Sequence, residues 1–237
     1  MATPVDQFHY ELPPSLIAQQ PLEQRDTSRM MVLRRGEAGA AHRQFSELPR
    51  LLPAGAALVV NNTRVAPRRL RGNLPGGAPL DVLLLRPVGE GVWSALVRRA
   101  RRLKPGITIS LGGGHLTAEA VERDGEGHWL LRFHEPERLA ERLSRYGLAP
   151  LPPYIRRGAD LPGQDARDRE AYQTCYASVE GAIAAPTAGL HFTPAVLGAL
   201  ERRGLERLEI TLHVGLGTFT PIKGPDAELH TMQREWV

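Results

Sequence analysis

"PLDVLLLRPVGEGVWSALVRRA", residues Pro79–Ala100, reads as two strands folded about a Gly-Glu-Gly turn. The figure recurs downstream. "ITISLGGG" (Ile107–Gly114) is a further strand, and "LTAEAVERDGEGHWLLRFHE" (Leu116–Glu135) is another pair, around Asp-Gly-Glu-Gly. Short strands at this spacing, with glycine turns and no long helix, predict a small antiparallel barrel or sandwich. It closes near "PERLAERLSRYG" (Pro136–Gly147), an amphipathic helix with Leu139 and Leu143 on one face and Gly147 as its stop.

On either side of this region the texture changes to strand–helix alternation. "RMMVLRR" (Arg29–Arg35) reads as a short buried strand, "FSELPRLL" (Phe45–Leu52) as one or two helical turns, and "AALVVNNT" (Ala56–Thr63) as a strand running into an Asn-Asn turn. Beyond the barrel, "DARDREAYQTCYA" (Asp165–Ala177) is helical and "GAIAA" (Gly181–Ala185) is a strand. "TPAVLGALERRG" (Thr193–Gly204) is a helix with Thr193 as N-cap, Pro194 in its first turn and Gly204 past its end. "LERLEITLHVG" (Leu205–Gly215) is another strand. The expected fold is a discontinuous α/β domain, residues 1–67 and 151–237, built as a barrel-like twisted sheet with surrounding helices. An antiparallel β-barrel domain, residues 68–150, is inserted into it. The closing "LHTMQREWV" reads as a strand just starting with nothing to cover it, so the α/β domain is expected to be incomplete.

With 237 residues, 42% hydrophobic and 24% charged, the chain has the composition of a soluble globular protein with a substantial core. The first twenty residues lack a signal-peptide pattern. The longest apolar run, "LLPAGAALVV", is about half a membrane span, so a cytoplasmic protein is expected. A single cysteine, Cys175, excludes an internal disulfide or Cys-based metal site; it is placed on a buried helix face as a structural thiol. No His/carboxylate cluster shows metal spacing, and neither an HExxH helix nor a GxSxG elbow occurs. Net charge is +4, carried almost wholly by arginine, with Lys104 and Lys223 the only lysines. The arginines cluster in "PRRLRG" (Pro67–Gly72), "VRRARRLKPG" (Val97–Gly106) and "YIRRG" (Tyr154–Gly158), a pattern that suits a polyanionic partner or else a solvated surface.

Three strand-end turns are rich in small, hydroxyl and amide residues: "VVNNTRVAP" (Val59–Pro67), "AAPTAGLHFTP" (Ala184–Pro194) and "TLHVGLGTFTP" (Thr211–Pro221). In α/β folds such loops line the ligand crevice. If their strands are neighbours, Asn61, Asn62, Thr63, Arg64, Thr187, Gly189, His191, His213, Gly215, Gly217 and Thr218 converge on one mouth. Plainer readings stand beside this one: an Asx turn for the Asn pair, a tight bend at "GLGT", a core role for His213. His191 precedes a helix N-terminus, whose positive end favours a neutral imidazole.

Six blocks occur in fixed order: "FHYELPPSLIAQQPLEQRDTSRMMVL", "LVVNNTRVAPRRLRG", "LPPYIRR", "DREAYQTCYA", "AAPTAGLHFTPAVL" and "ITLHVGLGTFTPI". Together, over Phe8 to Trp236, they resemble the S-adenosylmethionine:tRNA ribosyltransferase-isomerase family of queuosine synthesis. The resemblance implies transfer of the ribosyl of S-adenosylmethionine to the aminomethyl group of a 7-deazaguanine at the tRNA wobble position. Isomerisation would then give epoxyqueuosine, adenine and methionine. It implies a monomer using neither metal nor prosthetic group, with an α/β domain plus a small β-barrel.

Under this reading His191 and His213 are the catalytic candidates. Asn61, Asn62, Thr63, Arg64, Tyr172, Thr187, Gly189, Gly215, Gly217, Thr218 and Glu235 would bind substrate, with Arg64 and Glu235 facing the methionyl carboxylate and ammonium. Arg98, Arg99, Arg101, Arg102 and Lys104 would contact tRNA. The chain departs from the family in lacking its C-terminal third and in carrying Arg68 where alanine is usual, a change expected only to add surface charge. A non-catalytic RNA-binding module and a small-molecule transferase indifferent to RNA are the alternatives.

Overall fold

The computed structural model describes residues 3–157, 163–222, 224–232 and 235. Lys223, Gly158 of the third arginine cluster, and Gln233, Arg234, Trp236 and Val237 of the closing segment lie outside them. Strands and helices follow in the order β1 (Arg29–Val32), β2 (Ala41–Gln44), α1 (Leu48–Leu51), β3 (Ala57–Asn61), β4 (Thr63–Val65), β5 (Arg69–Asn73), β6 (Pro79–Gly89), β7 (Val92–Arg98), β8 (Thr108–Leu111), β9 (Leu116–Arg123) and β10 (Trp129–Phe133). Then come α2 (Leu139–Tyr146), α3 (Gln164–Ala171), β11 (Val179–Ala182), α4 (Pro194–Arg202) and β12 (Glu206–Ile210). The chain divides into two compact units. One comprises Met1–Val65, Leu151–Leu161 and Glu170–Val237; the other comprises Ala66–Pro150 and Pro162–Arg169. Most of α3 therefore groups with the inserted segment rather than with the α/β unit to which the sequence assigned it.

In the second unit six antiparallel strands close in the order β10-β7-β6-β5-β8-β9, with β9 pairing back on β10. Alternating side chains of these strands fill the interior: Leu70, Val82, Leu84, Ile109, Leu111 and Leu131 are fully buried. Leu139 and Leu143 of α2 add to this core. Gly147 ends α2, but not by a left-handed turn, since its φ is −73°. Its lack of a side chain is needed for proximity, because a Cβ would overlap the carbonyl oxygens of Pro67 and Leu143.

The arginines of "PRRLRG" find partners within this unit. Arg69 grips Asp81 bidentately at 2.9 and 2.7 Å. Arg68 donates to the Leu85 carbonyl and lies 5.2 Å from the Trp93 ring, so it is more than added surface charge. Arg71 faces Asp165 at 4.0 Å. The β9–β10 turn brings Asp124, Glu126 and His128 together, with ligand atoms within 4.8 Å of one another, a grouping the sequence reading did not expect. A hairpin stacks residues two and four apart, which supplies the proximity. Asp124 is already engaged there: burial works against its charge, but hydrogen bonds from the His128 amide, the Ser94 hydroxyl and the Glu126 amide outweigh this and hold its carboxyl below the usual range.

The first unit contains parallel pairing. β12 runs parallel to β3 from Glu206↔Ala57 to Ile210↔Asn61, and β11 runs parallel to β4 from Val179↔Thr63. β1 and β2 form a separate antiparallel pair. The core joins Phe45, Phe192, Val196, Leu197, Leu200 and Leu205. Thr193 caps α4 by accepting from the Val196 amide, and Gly204 takes a φ of +78° just beyond it, as the sequence anticipates.

Four further expectations need correction. β1 is not buried, for Met31 is 61% exposed; its partner β2 covers only its edge. α3 stops at Ala171, leaving Cys175 exposed in a turn rather than on a helix face. β11 begins at Val179, two residues ahead of "GAIAA". In the closing segment the described residues, 229–232 and 235, form no strand, and the 3-10 turn Ala227–Leu229 ends where the segment begins.

Two glycine substitutions test this account. Gly147→Ala forces backbone apart and is expected to cost about 1–3 kcal/mol. Gly198→Ala, inside α4, meets only the mobile end of Arg202 at 3.4 Å and is expected to gain about 0.5–1 kcal/mol from helix propensity. Urea unfolding midpoints followed by circular dichroism would read both, and equal shifts would refute the distinction.

Candidate active site

β3 passes into β4 with only Asn62 between them, and this junction organises the site. The Asn61 carboxamide accepts from the Thr63 amide, an Asx turn, and also clamps Leu212 by accepting from its N–H and donating to its carbonyl. Asn62 donates to Glu209 and accepts from the Thr211 hydroxyl. Its backbone carbonyl takes the amides of Ser178 and Val179 at the entry to β11. The two asparagines thus bind the exits of β3 and β12 to the start of β11.

His213 follows directly from this clamp. Its Nδ1 lies 2.7 Å from the Thr63 hydroxyl, and Thr63 is only 1% exposed. The ring packs on the backbone of Gly181, where a Cβ would sit 2.5–2.6 Å from three ring atoms. Residues from β4, β11 and the segment after β12 therefore fix one imidazole and leave Nε2 as the nitrogen that Thr63 does not engage. When Thr63 accepts from Nδ1–H, Nε2 is a base; when it donates, Nε2 carries the proton. The next residues stay in register, with the Ile183 amide donating to the Val214 carbonyl at 3.0 Å.

The loop Thr187–His191 is a 3-10 helix. Gly189 is buried, and a Cβ there would overlap the Tyr176 hydroxyl and approach Thr174 to 2.9 Å. His191 stands against Phe45, ring centroids 5.4 Å apart, and is thus positioned by packing. The two histidines answer to different neighbours. Thr187 and Thr218 are exposed. The Gly215 amide donates to Glu235 at 3.0 Å, which brings that pair together, and the Gly217 carbonyl accepts from the Thr220 amide. Arg64 is exposed and donates to the Ala177 carbonyl. Burial pushes the Tyr172 phenol up to about 12; its hydroxyl lies beside the Ala185 backbone without a well-formed hydrogen bond.

Three residues here escaped the sequence reading. Gly181 is one, and a glycine inside a strand is the signal for such a close approach. Gln173 is another: its side chain pairs with both the amide and the carbonyl of Val65, extending β4 as a strand neighbour would. Asp26 is the third, 5% exposed and accepting from the Thr193 hydroxyl at the head of α4.

In the barrel unit, Arg98, Arg99, Arg101, Arg102 and Lys104 are all exposed. Arg99 adopts φ 62°, ψ 26°, the one positive φ outside glycine among the described residues, and leads into a 3-10 turn at Ala100–Arg102.

The chain thus carries an α/β unit with a hydroxyl-anchored imidazole, interrupted in sequence by a closed barrel bearing a cationic loop. The chain belongs to the queuosine biosynthesis protein family, whose model matches residues 5–237. It is 47% identical over 98% of its length to the S-adenosylmethionine:tRNA ribosyltransferase-isomerase of Desulfitobacterium hafniense, covering 66% of that protein. It is 48% identical to the protein of the same name from Gloeobacter violaceus, covering 98% of this chain and 63% of that one. The chain therefore spans just under two thirds of the length of these curated relatives. Among solved structures it is similar to S-adenosylmethionine tRNA ribosyltransferase from Thermotoga maritima, with 32% identity over 89% of this chain and 59% of that one, at a TM-score of 0.35.

The anchoring of His213 can be tested directly. Thr63→Val preserves shape but removes the hydroxyl, at an expected cost of about 1 kcal/mol. It should move the His213 Nδ1 resonance in nitrogen NMR, whereas Ser178→Ala should not. An unmoved Nδ1 would disprove the contact.

Proposed function

We propose that the chain forms part of an enzyme that transfers and isomerises the ribosyl moiety of S-adenosylmethionine onto the 7-aminomethyl-7-deazaguanine of tRNA, giving epoxyqueuosine, adenine and methionine. The observation that carries the reading is the His213 imidazole, fixed by Thr63 and Gly181 within a family block. The names of the curated relatives support it. S-adenosylmethionine is a substrate in this reading, and neither a prosthetic group nor a metal takes part. The enzyme works as a cytoplasmic monomer. Among the described residues no helix is long and apolar enough to cross a membrane.

In this reading residues 1–67 and 151–237, apart from the α3 segment Pro162–Arg169, form one domain, and 68–150 with that segment form the inserted barrel. The two parallel strand pairs are sectors of a single barrel-like twisted sheet with surrounding helices. The direct passage of β3 into β4 supports this, as do the exposed apolar side chains of Val59, Leu208 and Ile210, which a larger sheet would cover.

The reaction needs a base for the acidic proton next to the sulfonium, a donor for the departing adenine, and alignment of the tRNA amine. His213 Nε2 and His191 are the proton-transfer groups. Thr187, Gly189, Gly215, Gly217 and Thr218 shape the nucleoside pocket, with Tyr172 behind them. Arg64 and Glu235 address the methionyl carboxylate and ammonium. Asn61, Asn62 and Thr63 act at the same mouth; their protein-directed hydrogen bonds favour a positioning role, with remaining capacity for adenine or ribose. Arg98, Arg99, Arg101, Arg102 and Lys104 take tRNA phosphates.

In a chain extended to its relatives' length, His213→Ala should slow single-turnover adenine release by about 10²–10⁴-fold. A rate within about threefold of the parent, under ~1 kcal/mol, would remove His213 from the chemistry, and the same criterion applies to His191→Ala. No free adenine from the parent enzyme with S-adenosylmethionine and precursor tRNA would favour a non-catalytic RNA-binding module. Separately, Arg101→Glu with Lys104→Glu should flatten the salt dependence of tRNA binding by about 0.7–0.9 per lost phosphate contact. An unchanged slope would make the loop solvated surface.

A further inference from the structure

Beside the cationic loop, β9 and β10 carry a cavity of about 530 Å³ whose lining is mainly of two kinds, with Glu122 its one carboxylate. Arg101, Lys104 and Arg123 are cationic, whereas Leu103, Pro105 and Trp129 are apolar. Arg123 is held in a particular pose. Its guanidinium lies 4.8 Å over the Trp129 ring, and its terminal nitrogen donates to the Gly127 carbonyl at 2.7 Å. Trp129 itself is only 3% exposed, while Arg123 is exposed. The indole is thus the floor beneath the guanidinium, and the guanidinium is the surface presented to solvent. A planar cation fixed on one face and open on the other is a stacking platform for a nucleobase.

We propose that this cavity receives one unpaired nucleotide of an RNA, its base stacked on the outer face of Arg123 and its phosphate neutralised by Arg101 and Lys104. The inference rests on the reading of the loop as an RNA contact, and deepens it. A duplex keeps its bases in the stack and offers only phosphates, so a wholly electrostatic surface would treat duplex and single strand by charge alone. A platform with an apolar floor selects a base that is free to turn outward. Arg99, in the left-handed conformation, precedes the 3-10 turn Ala100–Arg102, beyond which Arg101 and Lys104 line the rim.

The discriminating variant is Arg123→Lys, which keeps the charge and loses the plane. With the intact chain and a single-stranded oligoribonucleotide carrying 2-aminopurine, the parent should quench the probe on binding. Arg123→Lys should weaken binding about tenfold and restore the fluorescence, with the salt slope unchanged. Binding of a duplex of equal length should change by less than twofold. Equal losses for duplex and single strand, or no loss with either, would overturn the platform while leaving the phosphate role of the loop intact. Failure of that role is a separate result, read from Arg101→Glu with Lys104→Glu: a salt slope unchanged by charge reversal. Circular dichroism of each variant confirms that the barrel is folded.

Discussion

The carboxamide of Asn61 holds three pieces of chain at one point. It caps its own strand by accepting from the Thr63 amide, and it grips both backbone groups of Leu212. Without it β3 and β12 would diverge where their parallel pairing ends, at Ile210↔Asn61. Everything chemical in this unit lies just past that point. His213 is one residue beyond Leu212, and Thr63 is two beyond Asn61. Because strand side chains alternate, a slip of one residue in either strand would turn Thr63 away from the imidazole. The asparagine therefore sets the register on which the Thr63–His213 contact depends.

Register alone would not place a ring as large as imidazole beside a strand. Gly181 supplies the space, and the buried run from Ala182 to Ala185 supports the backbone behind it. Small residues occur here because the strand must approach its neighbours closely. The same reasoning applies to Gly189 against Tyr176, and in the barrel unit to Gly147 against Pro67. In each case the backbone conformation is ordinary and the missing side chain is what matters. A glycine in these positions is a packing decision rather than a turn signal.

That distinction explains what could be read in advance. The barrel was legible because short apolar strands recur at regular spacing between glycine turns, and their inward residues Val82, Leu84, Ile109, Leu111 and Leu131 are fully buried. α4 was legible from Thr193, Pro194 and Gly204, local signals that need no partner. β1 was misjudged because its apolar letters suggested burial that only a covering layer can provide, and Met31 lacks one. The grip of Gln173 on Val65 and the burial of Asp26 under α4 spring from contacts more than a hundred residues apart in the chain. No local pattern encodes those. The site was half legible for the same reason: residue types marked the three loops, but only tertiary contact shows that Thr63 and Gly181 serve His213 while Phe45 serves His191.

Charge shows the limit of composition most clearly. The "PRRLRG" and "VRRARRLKPG" clusters look alike in the sequence, yet they have opposite fates. Arg69 is drawn into a bidentate pair with Asp81, and that partner raises its proton affinity while burial opposes it. Arg68 lies on Trp93. A guanidinium so engaged has little field left for a polyanion. In the second cluster Arg98, Arg99, Arg101, Arg102 and Lys104 all stand in solvent. An arginine-rich protein thus divides its cations into those that hold the barrel together and those it presents outward. Only the second group can govern encounter with a nucleic acid, because only an uncompensated charge releases counterions when a phosphate arrives.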